Sequence, residues 1–258
     1  MLITILPCPH PTGVDKLHPP VRLLLLSSSR VHGSGYLDHC EDHTRDHFSD
    51  VDRVLFIPYA AHDRNRYADQ VRSRFAAMGL ETESVHESHD PVAAAERAQA
   101  FFVGGGNTFR LLTELYDNHL LAPIRQKVAA GTPYIGSSAG TNVACPTIRT
   151  TNDMPIVYPP SLDALGLVSF QINPHYLDAD PASVHQGESR ETRIREFHQE
   201  NEAPVVALRE GALLVVDGSS ITLRGETGGR LFRRERETIE LEAGARLDEL
   251  VVGVGSGR

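Results

Sequence analysis

The sequence predicts an α/β fold, in which helices cover both faces of a mostly parallel, twisted sheet that ends in an antiparallel β extension. Short apolar runs, such as VRLLLLSSS from Val21 and RVLFIPYA from Arg53, alternate with segments of helical periodicity. These runs are continuously apolar, as expected for strands that are buried on both faces of a parallel sheet. After about residue 203 the pattern changes to short strands separated by Asp-Gly and Gly-Ser turns, which is typical of antiparallel strands.

The elements follow one another in a regular order. Between the first two runs, YLDHCEDHTRDHF has the composition of an exposed helix. RNRYADQVRSRFAAMG then repeats apolar residues at helical spacing, and Gly79 is placed to end that helix. Two further units of strand and helix are predicted in AQAFFVGGGNTFRLLTELYDN and APIRQKVAAGTPYIGSS.

Length, composition and charge limit the classes of function. The chain of 258 residues has a formal net charge of −9, which argues against nucleic acid or an anionic membrane as a partner. Its longest apolar run near the start is far too short to span a membrane. The three cysteines are odd in number and widely spaced, which favours a reducing compartment. We therefore expect a cytoplasmic protein with one domain over residues 21–258 and a disordered extension over residues 1–20.

The sharpest predicted strand-to-helix corner is GSSAG, residues 136–140. Ligands of open parallel sheets bind beyond the carboxyl ends of the strands, and this pentapeptide fits the G-x-S-x-G pattern with Ser138 at its centre. Small residues two positions before and after the serine relieve the crowding of such a turn. The helix that follows favours negative charge developing on the serine oxygen. The bare pattern also fits small residues that serve only close packing.

A second glycine-rich turn, Gly104-Gly105-Gly106, ends the preceding strand. It is not the dinucleotide-binding fingerprint, because Phe109 stands where the last glycine would be, and it lacks the Gly-Lys-Ser/Thr ending of a Walker loop. Its backbone N–H groups are open to close approach by an oxyanion or a carboxylate. A tight turn without any chemistry explains the same residues.

A nucleophilic serine needs a base, and the base needs a carboxylate that orients it. Asp153 follows the GSSAG corner, in the segment TTNDMPIV. His175 follows a short apolar run and Asn173-Pro174, which places it at a strand end. Because the chain has thirteen histidines, a loop histidine without a role is the simpler interpretation of His175 taken alone.

Four segments together resemble the peptidase E family, the α-aspartyl dipeptidases among the serine peptidases: VGGGNTFRLL, YIGSSAGTNVACPTIRTTNDMPIV, INPHY and GESRETRIRE. The motifs stand in the family's order and spacing over nearly the whole chain. The resemblance implies a flavodoxin-like sheet akin to that of class I glutamine amidotransferases. It also implies hydrolysis of small acidic dipeptides that begin with aspartate, with Ser138 as the nucleophile, His175 as the general base and Asp153 as the third catalytic residue. This chemistry needs no cofactor and no metal.

Further site residues are assigned around this triad. The N–H groups of Gly106 and Ala139 are candidates for the oxyanion hole. Asn107 and Thr108 are candidates for binding the amino group or the side chain of the substrate. Arg190 is the candidate for the substrate carboxylate, because a guanidinium binds carboxylates bidentately.

One position departs from many bacterial members of the family. Ser137 stands where they carry tryptophan, so a substrate preference set by that tryptophan stays open. The arginines Arg193 and Arg195, which follow Arg190 in GESRETRIREF, fit a solvated helix face.

Other interpretations stay open. His39, His43 and His47 recur four residues apart and could ligate a metal, although an exposed polar helix with incidental histidines is simpler. A cyanophycinase-like hydrolase of aspartyl polymers and a non-catalytic binder of acidic peptides are the alternative functions. A class I amidotransferase would need a cysteine where Ser138 stands. The sequence does not decide the oligomeric state, and a homodimer is left open.

Overall fold

The computed structural model describes residues 20–179 and 187–250. The extension expected over residues 1–20 therefore lies, apart from Pro20, outside the described residues. The strands are β1 (Arg22–Leu26), β2 (Arg53–Ile57), β3 (Glu81–Ser84), β4 (Phe101–Val103), β5 (Tyr134–Ser137), β6 (Gln171–Tyr176), β7 (Val205–Arg209), β8 (Leu213–Asp217), β9 (Ser220–Arg224), β10 (Gly229–Phe232) and β11 (Ile239–Leu241). The α-helices are α1 (Glu41–His47), α2 (Arg64–Ala77), α3 (Pro91–Arg97), α4 (Thr108–Asp117), α5 (Leu121–Ala129), α6 (Ala139–Ala144) and α7 (Arg190–Glu200).

The main sheet has seven strands in the order β3-β2-β4-β5-β1-β8-β9. The first five of these are parallel neighbours, and β8 and β9 add antiparallel pairs at one edge. The predicted fold class is thereby confirmed. Strands β3-β2-β4-β5 follow the 2-1-3-4 path of flavodoxin-like sheets, and the N-terminal strand β1 takes the fifth place.

Both faces of the main sheet are covered, which explains the continuously apolar strands. Leu23 and Leu25 on β1 pack into one core with side chains from α3, α4, α5 and α6. Leu24 and Leu26, which point to the opposite face, pack with Cys40 and Phe48, which flank α1, and with side chains from α2. Successive side chains of a strand point to opposite faces, so every apolar residue of β1 is buried.

A second sheet of four strands, in the order β11-β10-β7-β6, lies beside the main one. Strands β6 and β7 are parallel, while β10 is antiparallel to both β7 and β11. The predicted antiparallel extension is therefore divided: β8 and β9 extend the main sheet, whereas β7, β10 and β11 build the second sheet with β6. The chain crosses between the two sheets at residues 210–212, which brings β6 and β7 to the carboxyl edge of β1 and β5. No helix of the described residues is long and apolar enough to cross a membrane.

Candidate active site

Ser138 forms a strained corner between β5 and α6. Its backbone has φ 52° and ψ −106°, a conformation that is costly for a residue with a side chain. A Cβ atom on Gly136 would lie 2.5 Å from the carbonyl oxygen of Gly140, and a Cβ atom on Gly140 would lie 2.1 Å from the carbonyl oxygen of Val103. Both glycines are thus required by close backbone contacts, as the spacing predicts, and the corner presents the Ser138 side chain at the edge of the sheet.

His175 reaches this serine from the second sheet. Its Nε2 atom lies 2.9 Å from Ser138 Oγ, and its backbone also has a positive φ of 53°. The backbone N–H of His175 donates to Ser27 Oγ at 2.9 Å, and the Ser27 hydroxyl donates to the carbonyl oxygen of Leu208 at 2.9 Å. Ser27 is fully buried just after β1, so it ties β6 and β7 to the main sheet at the site.

The carboxylate that holds this imidazole is Glu210, not Asp153. Glu210 Oε1 lies 2.9 Å from His175 Nδ1. Because a carboxylate oxygen accepts, Nδ1 carries the proton and Nε2 is left to accept from the Ser138 hydroxyl. The prediction that Asp153 contacts His175 is wrong. Glu210 lies in the crossing between the two sheets, and that crossing places it beside His175.

Asp153 instead fixes the start of α4. Its Oδ2 atom accepts from the N–H of Thr108 at 2.7 Å and from the Thr108 hydroxyl at 2.6 Å, and it lies 3.3 Å from Thr151 Oγ1. Asn107 caps the same helix, because its Oδ1 atom accepts from the N–H of Arg110 at 3.0 Å and its Nδ2 atom donates to the carbonyl oxygen of Met154 at 2.9 Å. The structure therefore joins Asn107, Thr108 and Asp153 in one polar cluster.

Arg190 begins α7 on the same side as this cluster. Burial lowers the pKa of its guanidinium, the nearby Arg193 acts in the same direction, and Asp153 opposes both. The opposing effect shows that Asp153 lies close enough for its charge to act on Arg190. Arg190 forms no ion pair with a carboxylate of residues 20–179 or 187–250.

The triple-glycine turn offers one N–H group, not three, to the space at Ser138. The Gly104 N–H donates to the carbonyl oxygen of Ile57 at 3.2 Å, and the Gly105 N–H donates to Tyr67 Oη at 2.9 Å. The N–H groups of Gly106 and Ala139 donate to no described residue. A Cβ atom on Gly106, whose φ is +136°, would lie 2.5 Å from the carbonyl oxygen of Ala60, so this position requires glycine.

Comparison with known proteins finds relatives that match most of this chain. The family described as peptidase family S51 matches residues 23–224. The chain is 52% identical over 231 residues to a peptidase E of Streptomyces coelicolor, covering 90% of this chain and 95% of that protein. It is 50% identical over 222 residues to a probable alpha-aspartyl dipeptidase of Drosophila melanogaster, covering 85% and 92%. The chain belongs to peptidase family S51.

Two solved structures show the same fold as this S51 peptidase. A putative peptidase E protein from Listeria monocytogenes has a TM-score of 0.61 and 23% identity, covering 80% of this chain and 98% of that one. A peptidase from an acI-B1 actinobacterium has a TM-score of 0.67 and 17% identity, covering 89% and 97%. The region matched by the S51 family contains Ser138, His175, Glu210 and Asp153.

The three histidines considered as metal ligands, His39, His43 and His47, do not gather into one group of ligands in this S51 peptidase. His39 lies in a 3₁₀ turn before α1, and His47 Nε2 lies 3.2 Å from the carbonyl oxygen of Tyr134. Burial lowers the pKa of His47 to about 4, so that side chain is neutral near pH 7. No group of three His, Cys, Asp or Glu residues is placed to hold a metal in the part of the chain that the structure describes.

The local sequence does not indicate that Glu210 and Tyr67 belong to the site. Glu210 stands in LREGALLVVDG, and its only signal is an acidic residue before a glycine that opens a strand of the opposite direction. Tyr67 stands in RNRYADQVRSRFAAMG, where the pattern indicates only a helix, whereas its hydroxyl accepts from the Gly105 N–H. Both contacts depend on how distant segments meet, which no local pattern shows.

Proposed function

We propose that the chain is a serine dipeptidase that hydrolyses dipeptides beginning with aspartate, with Ser138 as the nucleophile, His175 as the general base and Glu210 as the orienting carboxylate. The observation that carries the proposal is the chain of hydrogen bonds from Glu210 through both imidazole nitrogens to Ser138 Oγ. This is the arrangement by which a serine hydroxyl is activated in unrelated hydrolases. The names of the relatives, peptidase E and alpha-aspartyl dipeptidase, support the same reaction.

The first half of the reaction forms an ester on Ser138. The hydroxyl oxygen attacks the carbonyl carbon of the aspartyl residue while His175 Nε2 takes the hydroxyl proton. The N–H groups of Gly106 and Ala139 are proposed to donate to the resulting oxyanion, and one such donor is typically worth about 3–4 kcal/mol in the transition state. The C–N bond then breaks, His175 gives its proton to the leaving amine, and the aspartyl group remains on Ser138.

The second half repeats this chemistry with water. His175 takes a proton from a water molecule that attacks the ester carbonyl, and the proton passes to Ser138 Oγ when the C–O bond breaks. Glu210 accepts a hydrogen bond from the Nδ1–H group throughout, and its charge stabilises the imidazolium that forms in each half of the reaction. The products are free aspartate and the second amino acid.

We propose that Arg190 and Asp153 bind the N-terminal aspartate of the substrate. An N-terminal aspartyl residue carries an ammonium group and a carboxylate a few bonds apart, and Asp153 and Arg190 supply the complementary pair of charges. The guanidinium suits the carboxylate through paired hydrogen bonds. Asn107 and Thr108, which contact Asp153 or its neighbour, are proposed to position the ammonium group.

The proposal is tested by hydrolysis of Asp-Leu, Leu-Asp, N-acetyl-Asp-Leu and Asn-Leu by the wild-type protein and by Ser138→Ala. We expect cleavage of Asp-Leu alone, and a loss of several orders of magnitude in Ser138→Ala with an unchanged melting temperature. Near-normal activity of Ser138→Ala would contradict the assignment of the nucleophile.

The same experiment separates the competing functions. A folded wild-type protein that cleaves none of the four dipeptides, but does cleave a polymer of aspartyl-arginine units, would indicate a cyanophycinase-like hydrolase. Calorimetric binding of Asp-Leu without turnover would indicate a binding protein. The compartment is proposed to be the cytoplasm, since Cys40 and Cys145 are buried free thiols of the kind found in reducing surroundings.

A homodimer is also proposed. Apolar side chains project from the segment after Asp153, with Met154 exposed to 76% and Tyr158 to 93%, and Leu177 is exposed beside His175. Such clustered apolar exposure is typical of an interaction site. Light scattering should give a dimer mass for the wild-type protein and a monomer mass for Met154→Ser/Tyr158→Ser, and a monomeric wild type would contradict the proposal.

A further inference from the structure

Ser138 lines a cavity of about 370 Å³. The same cavity is lined by an arginine that has no part in the reaction described above. Ser138, His175 and Glu210 line this cavity together with Arg30, which belongs to the loop that follows β1. None of the residues proposed to bind the N-terminal aspartate lines it. The active site therefore has two sides, each with its own arginine.

Arg30 is held in place but is not neutralised. Its guanidinium lies over the ring of Tyr36, 5.5 Å from the ring centroid, in the position of a cation–π contact. Tyr36 is buried, while Arg30 itself is exposed to the cavity. Arg30 forms no ion pair with a carboxylate among residues 20–179 and 187–250. A cation that lies against Tyr36, pairs with no carboxylate of the described residues and lines the same cavity as Ser138 is suited to an anionic group of the substrate.

The position of His175 decides which part of the substrate enters this cavity. The nitrogen of the leaving amine must lie within reach of His175 Nε2, because the imidazolium gives its Nε2 proton to the amine. His175 and Glu210 line the same cavity as Arg30, so the second residue of the substrate lies there. In a dipeptide, the α-carboxylate of that residue is only two bonds from the leaving nitrogen. In a longer peptide, a neutral amide takes its place.

We propose that Arg30 binds the C-terminal carboxylate of the dipeptide and thereby restricts the enzyme to substrates of two residues. The inference rests on the proposed function and deepens it. Arg190 and Arg30 then divide the two carboxylates of an Asp-X substrate between them: one recognises the aspartyl side chain, and the other recognises the end of the chain. Arg30 is a residue that determines specificity, and it takes no part in the transfer of protons.

The test compares Asp-Leu with Asp-leucinamide, in which a neutral amide of similar shape replaces the carboxylate. We expect the wild-type kcat/KM to be roughly 10–100-fold higher for Asp-Leu, the range typical of a lost charged hydrogen bond. In Arg30→Met this preference should fall to about one, chiefly through a higher KM for Asp-Leu. Arg30→Lys should keep part of the preference, because it retains the charge without the planar fork.

Two controls make the result specific. Arg53→Met removes an exposed arginine that pairs with Glu81 at the opposite edge of the sheet, and it should keep the wild-type preference. Arg190→Met should lower kcat/KM for both substrates by a similar factor, because both contain the aspartyl group. Circular dichroism and melting temperatures establish that each variant is folded.

The outcomes separate this inference from the proposed function. If the wild type cleaves both substrates equally well, or if Arg30→Met keeps the preference for Asp-Leu, the role of Arg30 is overturned while the dipeptidase stands. An equal loss for both substrates in Arg30→Met also overturns it, since that result assigns Arg30 to the aspartyl side. If the wild type cleaves neither substrate, the proposed function fails and this inference fails with it.

Discussion

Two loops near the site each contain a carboxylate, and the two carboxylates have different hydrogen-bond partners. In the loop of residues 151–153, Asp153 is bound to the start of α4 through Thr108. In the crossing of residues 210–212, Glu210 binds His175 Nδ1 and is half exposed to the cavity, with 51% of its side chain accessible. The first loop lies in a motif that resembles the family, and the second lies in an unremarkable turn between strands.

The difference shows that the role of a carboxylate near the site histidine follows from the group it binds, and not from the sequence motif in which it stands. Asp153 Oδ2 binds Thr108 and lies beside Thr151 Oγ1, whereas the carboxylate at His175 Nδ1 is Glu210. Glu210 is brought to His175 by the crossing of the chain from the second sheet to the first. If this comparison is right, the two carboxylates affect different kinetic constants.

Glu210→Gln should have the largest effect. A carboxamide can donate to Nδ1 and so favour the imidazole tautomer that cannot accept the Ser138 proton, and the imidazolium loses its counter-charge. We expect kcat for Asp-Leu to fall by roughly 10³–10⁴-fold with KM little changed. Steady-state kinetics on the folded variant measures this split. A loss confined to KM would place Glu210 in substrate binding and remove it from the triad.

Asp153→Asn should act on binding. Asparagine keeps an acceptor for Thr108 but loses the negative charge proposed to hold the substrate ammonium group. We expect KM for Asp-Leu to rise by roughly 10–100-fold, as for a lost charged hydrogen bond, with kcat within about 10-fold of the wild type. Binding of N-acetyl-Asp-Leu, which has no ammonium group and is not expected to be cleaved, should differ less between the variant and the wild type. A kcat loss as large as that of Glu210→Gln would show that the two loops share one role.

Ser27→Ala should have a smaller effect on catalysis, and it should lower the stability of the contact between β1 and the second sheet. The hydroxyl accepts from the His175 N–H and donates to Leu208, so its removal leaves two buried groups unpaired. We expect a loss of about 1–3 kcal/mol in the free energy of unfolding and a modest fall in kcat. Ser34→Ala, which removes an exposed local bond to Val31, is the control in the same denaturation experiment. Equal stabilities of the two variants would argue against the tie between the sheets.

Alkylation of thiols should have the smallest effect. Burial raises the pKa of Cys40 and of Cys145 to about 12, so roughly one thiol in 10⁴ is ionised at pH 8, and the thiolate is the reactive form. Iodoacetamide at pH 8 should leave kcat unchanged, with Cys145 unlabelled in peptide mapping. Inactivation that parallels labelling of Cys145, which directly follows α6, would implicate a thiol in the reaction.

The sequence predicts those parts of this site that depend on local geometry. The strand-to-helix corner at Ser138 and the glycine at 136, which contacts Gly140, follow from steric rules that act within five residues, whereas the glycine at 140 also contacts Val103 on β4. His175 was predicted at a strand end, and it lies in β6. These residues also fall in segments that resemble the family.

The parts that escape prediction depend on contacts between distant segments. The pair of His175 and Glu210 requires the second sheet, which the pattern of strands after residue 203 does not distinguish from an extension of the first. Tyr67 is 38 residues from the glycine whose N–H it binds, and the hydroxyl of a tyrosine on an apolar helix face carries no signal of its partner. Arg30 shares a cavity with Ser138 only because β1 lies next to β5.

The most direct test of the triad is a double-mutant cycle on kcat for Asp-Leu, built from His175→Ala, Glu210→Ala and the double variant. Residues that act as one unit are strongly non-additive. We therefore predict that Glu210→Ala costs roughly 10³-fold or more in the wild type but almost nothing when His175 is already alanine, while Asp153→Asn still raises KM in either background. A full, additive loss from Glu210→Ala in the absence of His175 would contradict the account.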